Sequence, residues 1–117
     1  MIQFLYVFVG GGLGTLIRYF ISVLLTSVSL PLATLLSNIV SCLMLALFVF
    51  FSQKFNLHDN LRLFFIIGVC GGLSTFSTFS YETVHLVKTG YFYYAFFNII
   101  FNISLCFSVI YFLVKKL

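Results

Sequence analysis

Gly71-Gly72-Leu73-Ser74-Thr75-Phe76-Ser77-Thr78-Phe79-Ser80 interrupts an apolar run that otherwise reads as one membrane-spanning helix. Two adjacent glycines weaken the helix, and the Ser/Thr hydroxyls compete for its backbone groups. Phe76 and Phe79 punctuate the hydroxyl ladder three residues apart. Irregular backbone at bilayer depth is tolerated only where it is buried in protein or lines a polar cavity. The stretch therefore predicts a helix broken near the membrane midplane, beside a path for an ion or solute.

The rest of the chain agrees with a membrane setting. Of its 117 residues 62% are apolar, 21% aromatic and only 7% charged, where a soluble domain carries roughly 25% charged residues. The length is about right for four spans of roughly 20 residues joined by tight loops. No basic region or cleavage-like site marks a signal peptide around the first apolar run. The net charge of +4 comes from very few residues, so no nucleic-acid partner is expected. Cys42, Cys70 and Cys106 fall in apolar runs without paired spacing, which reads as buried, reduced thiols.

The predicted architecture is an all-α membrane protein, with residues 1–117 forming a single four-helix transmembrane domain. The spans run from about Ile2 to Leu25, Leu32 to Phe51, Leu61 to Val87 and Tyr91 to Val114, the third being interrupted. Thr26 to Pro31 forms the first turn, Ser52 to Asn60 the polar loop, and Lys88-Thr89-Gly90 the last turn, with Gly90 suited to a helix C-cap. Four such helices enclose little, so an oligomer is expected.

Each span carries polar residues with two readings. Gly10 and Gly14 form a small-xxx-small face for close helix packing. Arg18, on the same face, either snorkels and anchors or attracts anions. Thr34, Ser37, Asn38 and Ser41 make one stripe at helical spacing. The amide of Asn38 serves either an interhelical hydrogen bond or a permeating anion. In the third span, a break frees carbonyls that suit a hard cation such as Na⁺. Beyond it, Ser77, Thr78 and Ser80 offer hydroxyl donors, and Phe76 and Phe79 offer either positive ring edges or plain packing. Asn98 and Asn102 lie four apart on the last span and could bond each other, or a neighbouring helix. No carboxylate pair, metal-ligand cluster, nucleophile triad or phosphate loop can be assembled, so no enzyme is expected.

Over essentially its whole length the chain resembles the Fluc (CrcB) fluoride channels. The resemblance rests on Gly11-Gly12-Leu13-Gly14-Thr15-Leu16-Ile17-Arg18-Tyr19, on Thr34-Leu35-Leu36-Ser37-Asn38, and above all on Gly68-Val69-Cys70-Gly71-Gly72-Leu73-Ser74-Thr75-Phe76-Ser77-Thr78-Phe79-Ser80. It implies an antiparallel, dual-topology dimer with two fluoride pores and a central structural Na⁺ held by the Gly71 and Ser74 carbonyls of both protomers. It implies that Phe76 and Phe79 are the pore phenylalanines. Asn38, Ser77 and Thr78 would lie along the fluoride path, and Asn98 and Asn102 would match polar pore positions of the last helix. Ala33 stands where the family usually has Gly. Asn98 and Asn102 stand where hydroxyls or other polar groups are common.

The implied function is passive export of cytoplasmic fluoride through a multi-pass protein of the plasma membrane, here a bacterial inner membrane, in contact with lipid. A small dual-topology drug/proton exporter needs a buried carboxylate that the first span lacks. A non-conducting subunit of a paralogue heterodimer is the other alternative. Lys54, Arg62, Lys115 and Lys116 share a side with the N-terminus, against Lys88 and, counted with the nearer end, Arg18. The positive-inside rule places both termini in the cytoplasm, with a small bias. The partner is then a second copy or an oppositely oriented paralogue.

Overall fold

The computed structural model describes residues 1–27 and 31–115. Part of the expected turn Thr26–Pro31, and Lys116, lie outside the described residues. Among the described residues the chain is helical and without strands: α1 (Ile2–Leu24), α2 (Leu32–Phe55), α3 (Asp59–Arg62), a π-helical stretch (Leu63–Cys70), α4 (Gly71–Leu73), α5 (Phe76–Lys88) and α6 (Phe92–Val114). Four helical spans are long and apolar enough to cross a membrane, α3 through α5 acting as one from Asp59 to Lys88. At about 1.5 Å per residue, 23 helical residues reach roughly 34 Å, enough for a hydrocarbon core of roughly 30 Å.

Local chemistry sets the ends. The second span continues past the expected Phe51 to Phe55, where Asn56 adopts the left-handed conformation (φ 49°, ψ 55°) and stops it. Asn is one of the few non-glycine residues that visits this region readily. The third span starts at Asp59, ahead of the expected Leu61, because His58 Nδ1 accepts the Asn60 N–H (3.2 Å). Gly90, with φ +88°, makes the turn into α6. The break itself is two extended residues, Ser74 (ψ 152°) and Thr75 (φ −150°, ψ 122°). Ser74 lies fifteen residues from Asp59 and fourteen from Lys88, at the middle of the span.

α1 lies along the π-helical stretch and α4, while α2 and α5 both pack on α6. The first contact is backbone on backbone. A methyl group on Gly10 would strike the Phe64 carbonyl oxygen, one on Gly14 the Val69 carbonyl, and one on Gly72 would come 2.5 Å from the Gly11 carbonyl. Gly68 in turn faces the Gly10 backbone, at 2.8 Å from a hypothetical methyl to its Cα. Small residues permit such approach in a medium where apolar bulk drives no association. The interior is correspondingly inverted relative to a soluble protein. Thr34, Ser37, Ser41, Asn98 and Asn102 are buried, while Phe4, Phe8, Leu16, Phe20, Phe107 and Phe112 face outward.

Candidate functional site

The break follows from where each backbone group finds its partner. In an unbroken helix the Thr75 N–H would donate to the Gly71 carbonyl, and the Thr78 N–H to Ser74. Instead Thr75 N–H donates to Asn38 Oδ1 (2.8 Å), and Thr78 N–H donates to Thr75 Oγ1 (3.2 Å) as the N-cap of α5. The Gly71 and Ser74 carbonyls thus lose their helical donors. The Leu73 carbonyl loses its helical donor too, while two others of the turn have partners. The Cys70 carbonyl accepts from Ser41 Oγ (2.7 Å), Ser74 Oγ (3.0 Å) and the Ser74 N–H (3.1 Å). The Gly72 carbonyl accepts from Arg18 Nε (3.1 Å). Arg18, placed in the sequence either as an anchor or as an anion attractor, therefore ties α1 to the C-terminal end of α4, where a cation is favoured.

Asn38 sits at the head of a chain of side-chain bonds. Its Nδ2 donates to Asn102 Oδ1 (2.9 Å) and, at the long distance of 3.5 Å, to the Thr75 carbonyl. Asn102 Nδ2 donates to Asn98 Oδ1 (3.0 Å) and to the Asn98 carbonyl (2.9 Å). Asn98 Nδ2 donates to Thr83 Oγ1 (2.9 Å), which donates to the Phe79 carbonyl (2.8 Å). The structure so brings Asn38, Asn98 and Asn102 together with the start of α5.

Two phenylalanines of the same turn part company. Phe79 is buried at 8% exposure, and Phe76 stands out at 79%, with their ring centroids 5.7 Å apart. Ser77 is exposed and Thr78 half-buried, and Ser77 Oγ lies 3.3 Å from Thr75 Oγ1. Gly71 is exposed as well, with nothing within 4 Å of where a methyl would stand. The Phe76 ring and Gly71, which flank the break, are both left open within the protomer.

Beside the break lies a cavity of about 480 Å³, lined among others by Arg18, Thr34, Ser37, Thr78 and Glu82. Thr34 Oγ1 donates to Glu82 Oε1 (2.9 Å). Ser37 Oγ and Glu82 Oε2 are buried there without a partner among the described residues. A buried polar atom without a partner in a roomy polar cavity is where water or a polar guest is held. Ser37, Thr34, Glu82 and Thr83 were not singled out as site residues in the sequence. The stripe Thr34-Ser37-Asn38-Ser41 signalled the first two, but no spacing links residue 34 to 82 or residue 83 to 98.

A four-span helical membrane protein, with its third span broken at mid-length against a polar cavity, is the class these features define. The family described as CrcB-like protein, Camphor Resistance (CrcB), matches residues 5–114, and the chain belongs to that family. Among its relatives is the fluoride-specific ion channel FluC of Elusimicrobium minutum, 42% identical over 108 residues, covering 89% of this chain and 84% of the relative. The protein of the same name from Pyrococcus abyssi is 41% identical over 105 residues, 88% of this chain and 85% of that one. That from Bacteroides fragilis is 34% identical over 110 residues, 86% of this chain and 87% of the other.

Proposed function

We propose that this chain forms a passive fluoride-selective channel that lets cytoplasmic fluoride leave the cell, working as an antiparallel dimer in the plasma membrane. The observation that carries the reading is the break at Ser74 and Thr75, enforced by Asn38 and Thr75 Oγ1, in a chain whose relatives are named fluoride-specific channels. Fluoride enters a cell as a neutral weak acid and dissociates in the less acidic interior. The anion then leaves with the inside-negative potential, worth about 2.3 kcal/mol per charge per 100 mV. No energy source is required.

The path supplies donors in place of water without a fixed charge to trap the ion. Phe76 and Phe79 present ring edges, Ser77 and Thr78 present hydroxyls, and Asn38, Asn98 and Asn102 lie along the same route. Arg18 lines the cavity together with Glu82 and is held by the Gly72 carbonyl, which supports an anchoring role for it beside the path.

The open side of the break supports the dimer. An exposed glycine and carbonyls without donors cannot face lipid, because each unsatisfied group there costs several kcal/mol. A two-fold axis in the membrane plane brings two such breaks together. The donor set fits a hard cation: neutral carbonyl oxygens of Gly71 and Ser74, released from helical pairing, repeated by the partner copy. These carbonyls would hold Na⁺, which supplies structural charge at the interface. Sodium in place of N-methylglucamine should raise the melting temperature of the purified dimer, by linkage, while fluoride efflux stays independent of any Na⁺ gradient. Because a methyl on Gly71 meets nothing within the protomer, Gly71→Ala should leave the protomer folded and abolish this Na⁺ effect. An unchanged Na⁺ effect would remove Gly71 from the site.

Efflux from proteoliposomes, followed with a fluoride electrode, tests the function. A channel empties the vesicles without a pH gradient. A requirement for the gradient would indicate the drug/proton exporter class, and no efflux from the single purified protein would indicate a subunit that needs a paralogue. Labelling a C-terminal cysteine tag in intact cells reports orientation. Labelling from both sides is expected for the homodimer, and protection on the outside overturns it.

A further inference from the structure

We propose that Asn98, Asn102 and Thr83 are positioning residues, which hold the first turn of α5 in place through a hydrogen-bond chain of a single polarity. The chain leaves the backbone at Thr75 and returns to it at Phe79, so it brackets Phe76, Ser77 and Thr78. Its head is a backbone N–H, which can only donate; its tail is a backbone carbonyl, which can only accept. Thr75 N–H therefore requires Asn38 to present its oxygen (2.8 Å). That choice turns the Asn38 nitrogen to Asn102 Oδ1, the Asn102 nitrogen to Asn98 Oδ1, and the Asn98 nitrogen to Thr83 Oγ1, at 2.9, 3.0 and 2.9 Å. The hydroxyl proton of Thr83 is left for Phe79 (2.8 Å). No amide in the row can turn over alone without leaving one buried donor facing another.

Burial gives the row its force. Asn98 is 7% and Asn102 5% exposed. A buried amide that loses its partner bears the full desolvation cost of that group, and satisfied networks in low dielectric strengthen together. Both hydrogens of Asn102 already have acceptors, in the side chain and the carbonyl of Asn98. Asn102 therefore cannot donate to a passing anion without opening the row, and its work is to keep Asn38 turned toward Thr75. The donors left for the ion are the second N–H of Asn98 and the hydroxyls and ring edges that the row holds in register. The consequence for transport rests on the channel reading above; the structural consequence stands without it.

Thr83 tests the chain, since it touches neither Asn38 nor Thr75 and Thr83→Val changes little but the hydroxyl. Hydrogen exchange of the 73–82 segment is read by mass spectrometry on the purified assembly, with its elution volume as the folding control. Thr83→Val and Asn102→Leu should each speed exchange of the amides from Thr75 to Phe79 by roughly fivefold, the loss of about one net hydrogen bond. Thr83→Ser, which keeps the hydroxyl, should stay within about twofold of the parent. Fluoride efflux should fall in Thr83→Val and Asn102→Leu and recover in Thr83→Ser. Acceleration by Asn102→Leu with none by Thr83→Val overturns the chain, because the effect is then local to α2 and α6. Equal exchange in Thr83→Val and Thr83→Ser overturns it as well. A parent protein that carries no fluoride sinks the channel reading and leaves the exchange result to decide this one.

Discussion

Phe79→Ile should cut fluoride efflux from proteoliposomes by roughly thirtyfold or more, while the purified protein elutes as the same assembly. A ring edge facing a dehydrated anion draws on the same quadrupole as a cation over the ring face, which is worth about 2 kcal/mol or more when desolvated. Each 1.4 kcal/mol or so is tenfold in rate. Isoleucine keeps apolar bulk at this buried position, with its 8% exposure, but offers no positive edge. Phe76→Ile should lower efflux to a similar degree for a different structural reason. Its ring is 79% exposed in the protomer, so the substitution should leave protomer stability untouched and act only in the proposed dimer, where a second copy would cover the break. Unchanged efflux in both purified variants would return the two rings to lipid contact and packing.

Gly14→Val should prevent assembly of the folded protein. Any Cβ at Gly14 meets the Val69 carbonyl, and stands 2.9 Å from the Leu73 nitrogen. These obstacles are backbone atoms and cannot swing aside as a side-chain end would. Overpacking of this kind costs roughly 1–3 kcal/mol even where side chains can yield, and rigid backbone puts Gly14→Val above that range. The control lies two residues away. A methyl on Gly12 meets nothing within 4 Å, and Ala is better than Gly inside a helix by about 1 kcal/mol. Gly12→Ala should therefore match or exceed the parent in thermal stability. Equal melting temperatures for Gly14→Val and the parent would show that α1 and the third span do not touch as described.

The contrast between Gly12 and Gly14 marks the limit of the sequence. In Gly10-Gly11-Gly12-Leu13-Gly14 the small-xxx-small spacing picked out Gly10 and Gly14, and the structure buries those two. Gly10 has Gly68 as its partner, and Gly72, which reads as a helix breaker, packs on Gly11 and Thr15 in the same close contact. The π-helical stretch Leu63–Cys70 was not legible at all. Its residues suit i→i+4 and i→i+5 pairing equally well, and no position in it carries a breaker before Gly68. The end of the second span was placed at Phe51 because Ser52, Gln53 and Lys54 are polar. Ser52 is buried, however, and the helix stops where Asn56 turns left-handed.

The site divides in the same way. The break was legible because glycines and hydroxyls act on their own backbone within a few residues. The spacing of Asn38 suits an interhelical bond or an anion ligand alike, and in the structure its amide bonds to Asn102 and to Thr75. Asn98 and Asn102 do bond each other, and that bond continues to Thr83, which had no sequence signal. Arg18 found the Gly72 carbonyl, 54 positions along the chain.

By itself the sequence determined that the chain lives in a membrane, crosses it four times and breaks its third crossing. Transfer into hydrocarbon is a property of each side chain singly, summed over about twenty neighbours, and the tendency of glycines and hydroxyls to weaken a helix acts within one turn, although Asn38 of another helix completes the break. Only the tertiary structure decided which donor serves which acceptor: Ser41 the Cys70 carbonyl, Thr34 the Glu82 carboxylate, Asn98 the Thr83 hydroxyl. A hydrogen bond requires a separation near 3 Å and a direction. Both depend on the rotation and height of one helix against another, and the close glycine contacts set these for α1 and the third span between residues more than fifty positions apart.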